Sequence, residues 1–421
     1  MRAAFDDGDL AAGIRGALSD GEAEETRPDD EKIHVFHRIG GQLGTSATRW
    51  GNRHVSLNVE GPRMNEYGTS GIRVAVMPSA PSSRLSDLDY LRGIAALGIV
   101  AYHYTSWTAG PQSAEFPLGR VGVYGVAVFY VLSGLTMFHV YGHRLGTARQ
   151  IRTFFVRRAF RIFPLLWLVT IATILLSRSW PGWRAFGLNM TGLFGFVDWD
   201  GYIALGVWSI GNELVFYALL PLIAWAAHRR SWFAVCVAVF VGIGAYFAFA
   251  VLDPSLPLAE QWGAYVNPLN QAFLFVLGFA VGKVLRGVHI PRWALLSALV
   301  AALLVFCIWP SGGDLINLVT GTNRFVFTLV CVVLCAVAYK LASDLPPILD
   351  RPLATLGEAS YSVYLIHPIA FTAVGIVAQG ALPMPVTTLL AIGVTLTASV
   401  LCYRIYERPL INVARQLTPT R

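Results

Sequence analysis

Leu88-Asp89-Tyr90-Leu91-Arg92-Gly93-Ile94-Ala95-Ala96-Leu97-Gly98-Ile99-Val100-Ala101-Tyr102-His103 opens the apolar part of this chain. It is long enough to enter a bilayer, yet it carries an arginine and a histidine. Both residues point the same way, because a spacing of 11 residues lies close to three full helical turns, a rise of about 16 Å. Gly93, Ala95, Ala96 and Gly98 lie between them and let a neighbour or a ligand approach closely. Ionisable groups at such depth are costly, so they mark candidate functional sites.

The rest of the chain fits a membrane setting. Of 421 residues, 55% are hydrophobic and 14% charged, against about 25% charged in soluble domains. Residues 1–84 hold 12 acidic and 10 basic side chains; the remaining 337 residues hold 13 and 22. The first segment has no sustained periodicity and no signal-peptide core, so disorder is expected over 1–84. Met64 and Met77 are alternative start positions.

From residue 85 onward ten stretches are apolar enough to span, at about 20 residues each: 88–107, 119–142, 161–177, 207–227, 231–252, 268–285, 292–309, 322–341, 358–379 and 383–403. The expectation is an all-α polytopic membrane domain over 85–412 with about ten transmembrane helices, and a tail at 413–421. The stretch Gly187–Val197 is too short to span and reads as re-entrant or interfacial. No internal repeat is visible. With the N-terminus inside, 17 of the 22 basic residues fall on cytoplasmic connections and the C-terminal tail. Four, Arg120, Arg178, Arg184 and Arg324, fall outside. The basic excess is therefore a topology signal, with both termini in the cytoplasm, and no nucleic-acid partner is expected. Trp107, Trp180, Trp183, Trp199, Trp208 and Trp309 mark the outer boundary as an aromatic belt. The five cysteines lie in apolar runs without metal-ligand spacing and read as small buried hydrophobes.

Four ionisable residues stand inside spans: Arg92, His103, Glu213 and His367. Glu213 and His103 lie at similar depths below Trp208 and Trp107, so they are candidates for an acid/base pair. Tyr361, Tyr364 and His367 share a helix face at i, i+3 and i+6, and Pro368 frees carbonyls beside them. The loop Arg149–Arg161 carries Arg152, Arg157, Arg158 and Arg161, whose guanidinium forks suit an anionic partner. The plainer readings are snorkelling for Arg92, packing hydrogen bonds for His103, Glu213 and His367, and lipid or topology anchoring for the arginines.

These segments together resemble the acyltransferase-3 family of membrane-bound acyltransferases, over about residues 85–412. Arg92 and His103 match its Arg-x10-His signature. Gly125-Val126-Ala127-Val128-Phe129-Tyr130-Val131-Leu132-Ser133-Gly134-Leu135 resembles its second-helix element. Arg158-Ala159-Phe160-Arg161 matches its Arg-x-x-Arg segment. Trp208-Ser209 through Glu213 and on to Tyr217 matches a further block, as does Tyr361 to His367. Ala127 departs from the pattern, since many members carry aspartate there. The sequence ends at Arg421, so the esterase-like domain fused to some members is not expected on it.

The resemblance implies a bacterial inner-membrane O-acyltransferase that moves an acyl group, often acetyl, from acyl-CoA to a carbohydrate hydroxyl. Acyl-CoA, most simply acetyl-CoA, is then a donor substrate; no bound cofactor and no metal are expected. His103, Glu213 and Arg92 are the candidate catalytic residues, with His103 as general base tuned by Glu213, or as an acyl carrier. Arg152, Arg157, Arg158, Arg161, Tyr361, Tyr364, His367 and Ser209 are the candidate substrate-binding residues. Asp198, Trp199 and Asp200 are candidate sugar contacts. The competing class is a glycan transporter or flippase without acyl chemistry. It explains ten helices, but not the Arg-x10-His spacing or the arginine cluster.

Overall fold

A computed structural model describes residues 83–142, 144–378 and 380–419, together with the short paired stretches 35–36 and 57–58. The expected disorder of 1–84 and the alternative starts otherwise concern residues outside these.

The described chain is almost wholly helical. Ten long helices correspond to the ten expected spans: α1 (Ser83–Ala109), α2 (Pro117–Tyr141), α3 (Ala148–Ser177), α5 (Trp208–Ala226), α6 (Arg230–Tyr246), α7 (Pro268–Leu285), α8 (Arg292–Ile308), α9 (Gly321–Leu341), α11 (Ser360–Ala378) and α12 (Met384–Cys402). Three shorter helices lie among them: α4 (Trp183–Thr191), α10 (Pro347–Glu358) and α13 (Arg408–Leu417). Among the described residues eight helices are long and apolar enough to cross a membrane. The other two long ones are α1, which carries charges, and α8, at 17 residues; α6 reaches 22 residues by continuing through a π-helical turn to Val251. The protein is a multi-pass membrane protein.

The stretch expected to be re-entrant or interfacial forms α4 and a single turn at Phe194–Val197. The arginine stretch expected to be a loop is instead the first turns of α3. A capping box starts that helix early: the Gln150 backbone N–H donates to Thr147 Oγ1, and the Thr147 N–H donates to Gln150 Oε1. Hydropathy cannot see such a start, because the arginines hide it.

Helix α2 runs through the centre, buried almost throughout, and packs most extensively on α7. Their approach depends on glycine. A Cβ on Gly134 would strike the Phe275 carbonyl, and one on Gly278 would strike the Val131 carbonyl.

The bundle has a basic end and a tryptophan-rich end. At the second, two of the four arginines placed outside are structural. Arg120 donates to the carbonyls of Ala114, Phe306 and Trp309 at 2.8, 2.5 and 2.6 Å, satisfying the last turn of α8. Arg324 lies 3.2 Å from Gln271 Oε1. The tryptophans divide. Trp180 and Trp183 are exposed, as a belt requires, whereas Trp208 is buried against Trp262 and Tyr265.

Candidate active site

Two buried clusters occupy opposite ends of one continuous face. At the tryptophan-rich end, α1 presents His103 and α11 presents His367, both fully buried. His103 Nδ1 and His367 Nε2 are 2.7 Å apart. Trp107 lies nearly parallel to both rings, with centroids at 5.0 Å from His103 and 6.0 Å from His367. Tyr104 holds α11 in place: its hydroxyl donates to the His367 carbonyl at 2.9 Å and meets Thr395 Oγ1 of α12 at 2.7 Å.

The tautomers follow from one further bond. His367 Nδ1 lies 3.3 Å from the Val363 carbonyl, which can only accept. In the neutral ring Nδ1 therefore carries the proton and Nε2 accepts. His103 must then donate from Nδ1, which leaves its Nε2 with the lone pair. In this arrangement Nε2 is the His103 nitrogen turned away from His367, the position a general base would use.

Tyr364 and Ser209 converge beside this pair. Both hydroxyls donate to the Gly206 carbonyl, at 2.7 and 2.9 Å. Gly206 has φ +84°, a left-handed conformation that favours glycine. The Tyr364 ring also lies 5.9 Å from the His367 ring.

At the basic end the partners are charges. Arg161 Nη1 donates to Glu407 Oε2 at 2.7 Å, both groups being buried. Ser362 Oγ donates to the other carboxylate oxygen of Glu407. The Arg161 guanidinium lies 5.2 Å over the Tyr361 ring, and Tyr361 donates to the Ile162 carbonyl at 2.9 Å. Arg158, also buried, sits 5.8 Å over Tyr141 and 5.9 Å over Tyr217. Arg157 donates to the hydroxyl and carbonyl of Thr418, past the end of α13. Arg152 is exposed on the first turns of α3.

Tyr361, Tyr364 and His367 therefore run from the arginine cluster to the histidine pair along one face of α11, over about 9 Å of helix rise. Glu213 is fully buried and accepts from the Tyr217 hydroxyl at 2.5 Å, so it joins the Tyr217–Arg158 stack. The histidine ring that meets His103 is His367's. Arg92 pairs with Asp89 at 3.0 Å and donates to Thr136 Oγ1 at 2.6 Å, three turns below His103. Ala127 is buried on α2, and one turn further on Tyr130 accepts from Asn212 at 3.1 Å.

Glu407 was not among the sequence candidates. It follows the last apolar run, where Arg404, Glu407 and Arg408 read as the start of a polar tail. A carboxylate just past a span, facing a distant arginine cluster, was the signal available.

The sequence model of the acyltransferase-3 family, described as an acyltransferase domain, matches residues 85–404. The chain belongs to the acyltransferase-3 family. It is an enzyme, an O-acyltransferase, and the transporter reading falls with that. Curated relatives agree. A provisionally named membrane-bound transacylase of Komagataeibacter xylinus is 27% identical over 310 residues, 68% of this chain and 73% of that protein. The exopolysaccharide production protein ExoZ of Rhizobium meliloti is 26% identical over 313 residues, 70% of this chain and 91% of its own length. The peptidoglycan O-acetyltransferase OatA of Listeria monocytogenes is 22% identical over 360 residues, 77% of this chain and 55% of that relative. No solved structure matches.

Proposed function

We propose that this acyltransferase moves an acyl group, acetyl in the simplest case, from acyl-CoA to a hydroxyl of a cell-envelope or secreted carbohydrate. The His103–His367 pair carries the reading. Arg158 and Arg161, with Arg152 and Arg157 nearer the surface, hold the donor's phosphates from the cytoplasmic side. An anion entering there competes with Glu407 for Arg161. The α11 face of Tyr361, Tyr364 and His367, and the small residues of α1 opposite, guide the thioester arm toward the histidine pair.

There His103 Nε2 takes the proton of the acceptor hydroxyl as its oxygen attacks the thioester carbonyl. The C–O bond forms, the C–S bond breaks, and the CoA thiolate leaves with the proton returned by His103. Protonated His103 keeps its Nδ1–H on His367 Nε2, which stabilises the transient charge. Glu213, through Tyr217, helps orient the arginine side, and Arg92 with Asp89 and Thr136 fixes the pitch of α1.

The excess of basic residues at one end supports termini in the cytoplasm of a bacterial inner membrane. The names of the relatives, exopolysaccharide production and peptidoglycan O-acetylation, support a carbohydrate acceptor.

The test is thiol release from acetyl-CoA by the detergent-purified protein supplied with crude envelope glycan, with mass spectrometry of the glycan. The expected result is glycan-dependent release and a gain of acetyl on sugar. Binding of acetyl-CoA with no release in any glycan fraction would count against this donor, and release that leaves no acyl group on the glycan would count against this acceptor class.

A further inference from the structure

A groove of about 900 Å³ opens at the tryptophan-rich end between α3, the segment before α5, and α11. It lies next to the histidine pair without exposing it. Leu365 and Pro368 of α11 form part of its wall, and His367 stands between them in the chain, turned to the other side toward His103. Tyr364 bridges the two spaces, since it touches the His367 ring and bonds to Gly206, directly after the groove-lining Leu205.

The lining changes along its length. Asp200 and Ser179 are exposed in the lining, and Tyr202, Leu176, Leu205 and Ile369 are half-buried. The Tyr202 hydroxyl is held by the Trp262 indole N–H at 3.0 Å, which fixes the ring. Asp198, the neighbouring candidate sugar contact, is instead paired with Arg184 at 3.3 Å. Trp199 is engaged with the Gly263 carbonyl at 2.8 Å. Of the three sugar contacts expected from sequence, Asp200 is the one that lines the groove.

The groove opens beside exposed tryptophans. Trp180 and Trp183 are exposed with ring centroids 4.8 Å apart, the signature of an interfacial anchor. Along α3 Leu175 and Ile171 are exposed, as on a helix face turned to lipid. Within α3 the lining runs from Ser177 to Thr173, about 6 Å of helix rise. A free sugar leaves the apolar side chains of Leu176, Leu205 and Ile369 in the lining unused.

We propose that this groove is where the acceptor docks before its hydroxyl reaches the histidine pair, and that it takes a sugar carried on an apolar anchor. The sugar lies against Asp200 and Tyr202, with a carboxylate to accept its hydroxyls and a fixed ring to cover its face. The anchor lies along Leu176, Leu205 and Ile369. As an acceptor site this rests on the acyl-transfer reading; as a binding site it does not.

The experiment uses the full chain in lipid nanodiscs, with empty discs subtracted. Radiolabelled dodecyl β-glucoside and methyl β-glucoside are the probes, and unlabelled dodecanol is a competitor. Dodecyl glucoside should bind saturably and at least about tenfold more tightly than methyl glucoside, since each buried methylene adds affinity. Dodecanol should compete poorly. Ile369→Trp, which fills the slot, should weaken dodecyl glucoside about tenfold and leave methyl glucoside unchanged, while Asp200→Asn should weaken both. Equal binding of the two glucosides, or dodecanol competing as well as dodecyl glucoside, would overturn the proposal without need of any variant; the second result would mean an ordinary lipid crevice. Acetyl-CoA thiol release on the same discs separates the two readings. Binding as described without release would sink the transfer reading and leave the groove standing. Release with methyl glucoside as good as with dodecyl glucoside would do the reverse.

Discussion

The arginine end and the histidine end of the α11 face are both buried, yet they are built from opposite materials. At one end permanent cations are held by a carboxylate, hydroxyls and aromatic faces: Arg161 by Glu407 and Tyr361, Arg157 by Thr418, Arg158 by Tyr141 and Tyr217. At the other end aromatic rings and hydroxyls meet: His103, His367, Trp107 and Tyr104. An arginine cannot give up its proton, so the first cluster can bind an anion but cannot move a proton. An imidazole pair does the reverse. On the proposed mechanism binding and proton transfer are thus divided between the two ends, and each end should respond to mutation in its own way.

The largest effect should come from the histidine end. His103→Ala should lower kcat by about 10²–10⁴-fold, the usual contribution of a positioned general base, while acetyl-CoA affinity by equilibrium binding stays within about twofold of wild type. A parallel loss of donor binding would merge the two ends into one site and break the contrast.

Glu407→Ala should act through stability. It leaves Arg161 buried without its carboxylate, and breaking a buried pair costs about 3–5 kcal/mol. Thermal unfolding in detergent should show a clearly lowered midpoint, with Arg161→Met in the same background recovering part of it. An unchanged midpoint would mean that Arg161 does not depend on Glu407.

A smaller effect is expected from Arg158→Lys. The charge remains and the planar fork is lost, so the apparent KM for acetyl-CoA should rise about 5–20-fold with kcat nearly unchanged, as for lost uniform binding. A fall in kcat at constant KM would move Arg158 to the reacting end. The smallest is Tyr364→Phe. It deletes one hydrogen bond to Gly206, worth about 1 kcal/mol, and should alter acceptor KM more than donor KM.

The two ends were not equally legible in the sequence. The spans could be read because hydrocarbon demands long apolar runs, and each expected span has its long helix. Positions sharing one helix were equally readable: Tyr361, Tyr364 and His367 form a face because helical period alone puts them there. Pairings across the bundle were not. His103 and His367 are 264 residues apart in the chain, and depth alone does not say which helices are neighbours. Glu407 was missed for a related reason, because its partner Arg161 lies 246 residues earlier. The arginine stretch read as a loop because its polarity masked a capped helix start. Hydropathy measures what faces lipid, and it is silent on what two buried polar residues do for each other.

The central claim is that His103 and His367 act as one unit, with His103 as the base. Its most direct test is a double-mutant cycle on acetyl-CoA thiol release, comparing wild type, His103→Ala, His367→Ala and the double variant at saturating substrate. Groups that act together are strongly non-additive. The account predicts a loss of about 10–100-fold for His367→Ala alone, a larger loss for His103→Ala, and no further loss in the double variant beyond that of His103→Ala. Activity retained by His103→Ala, or losses that multiply in the double variant, would contradict it.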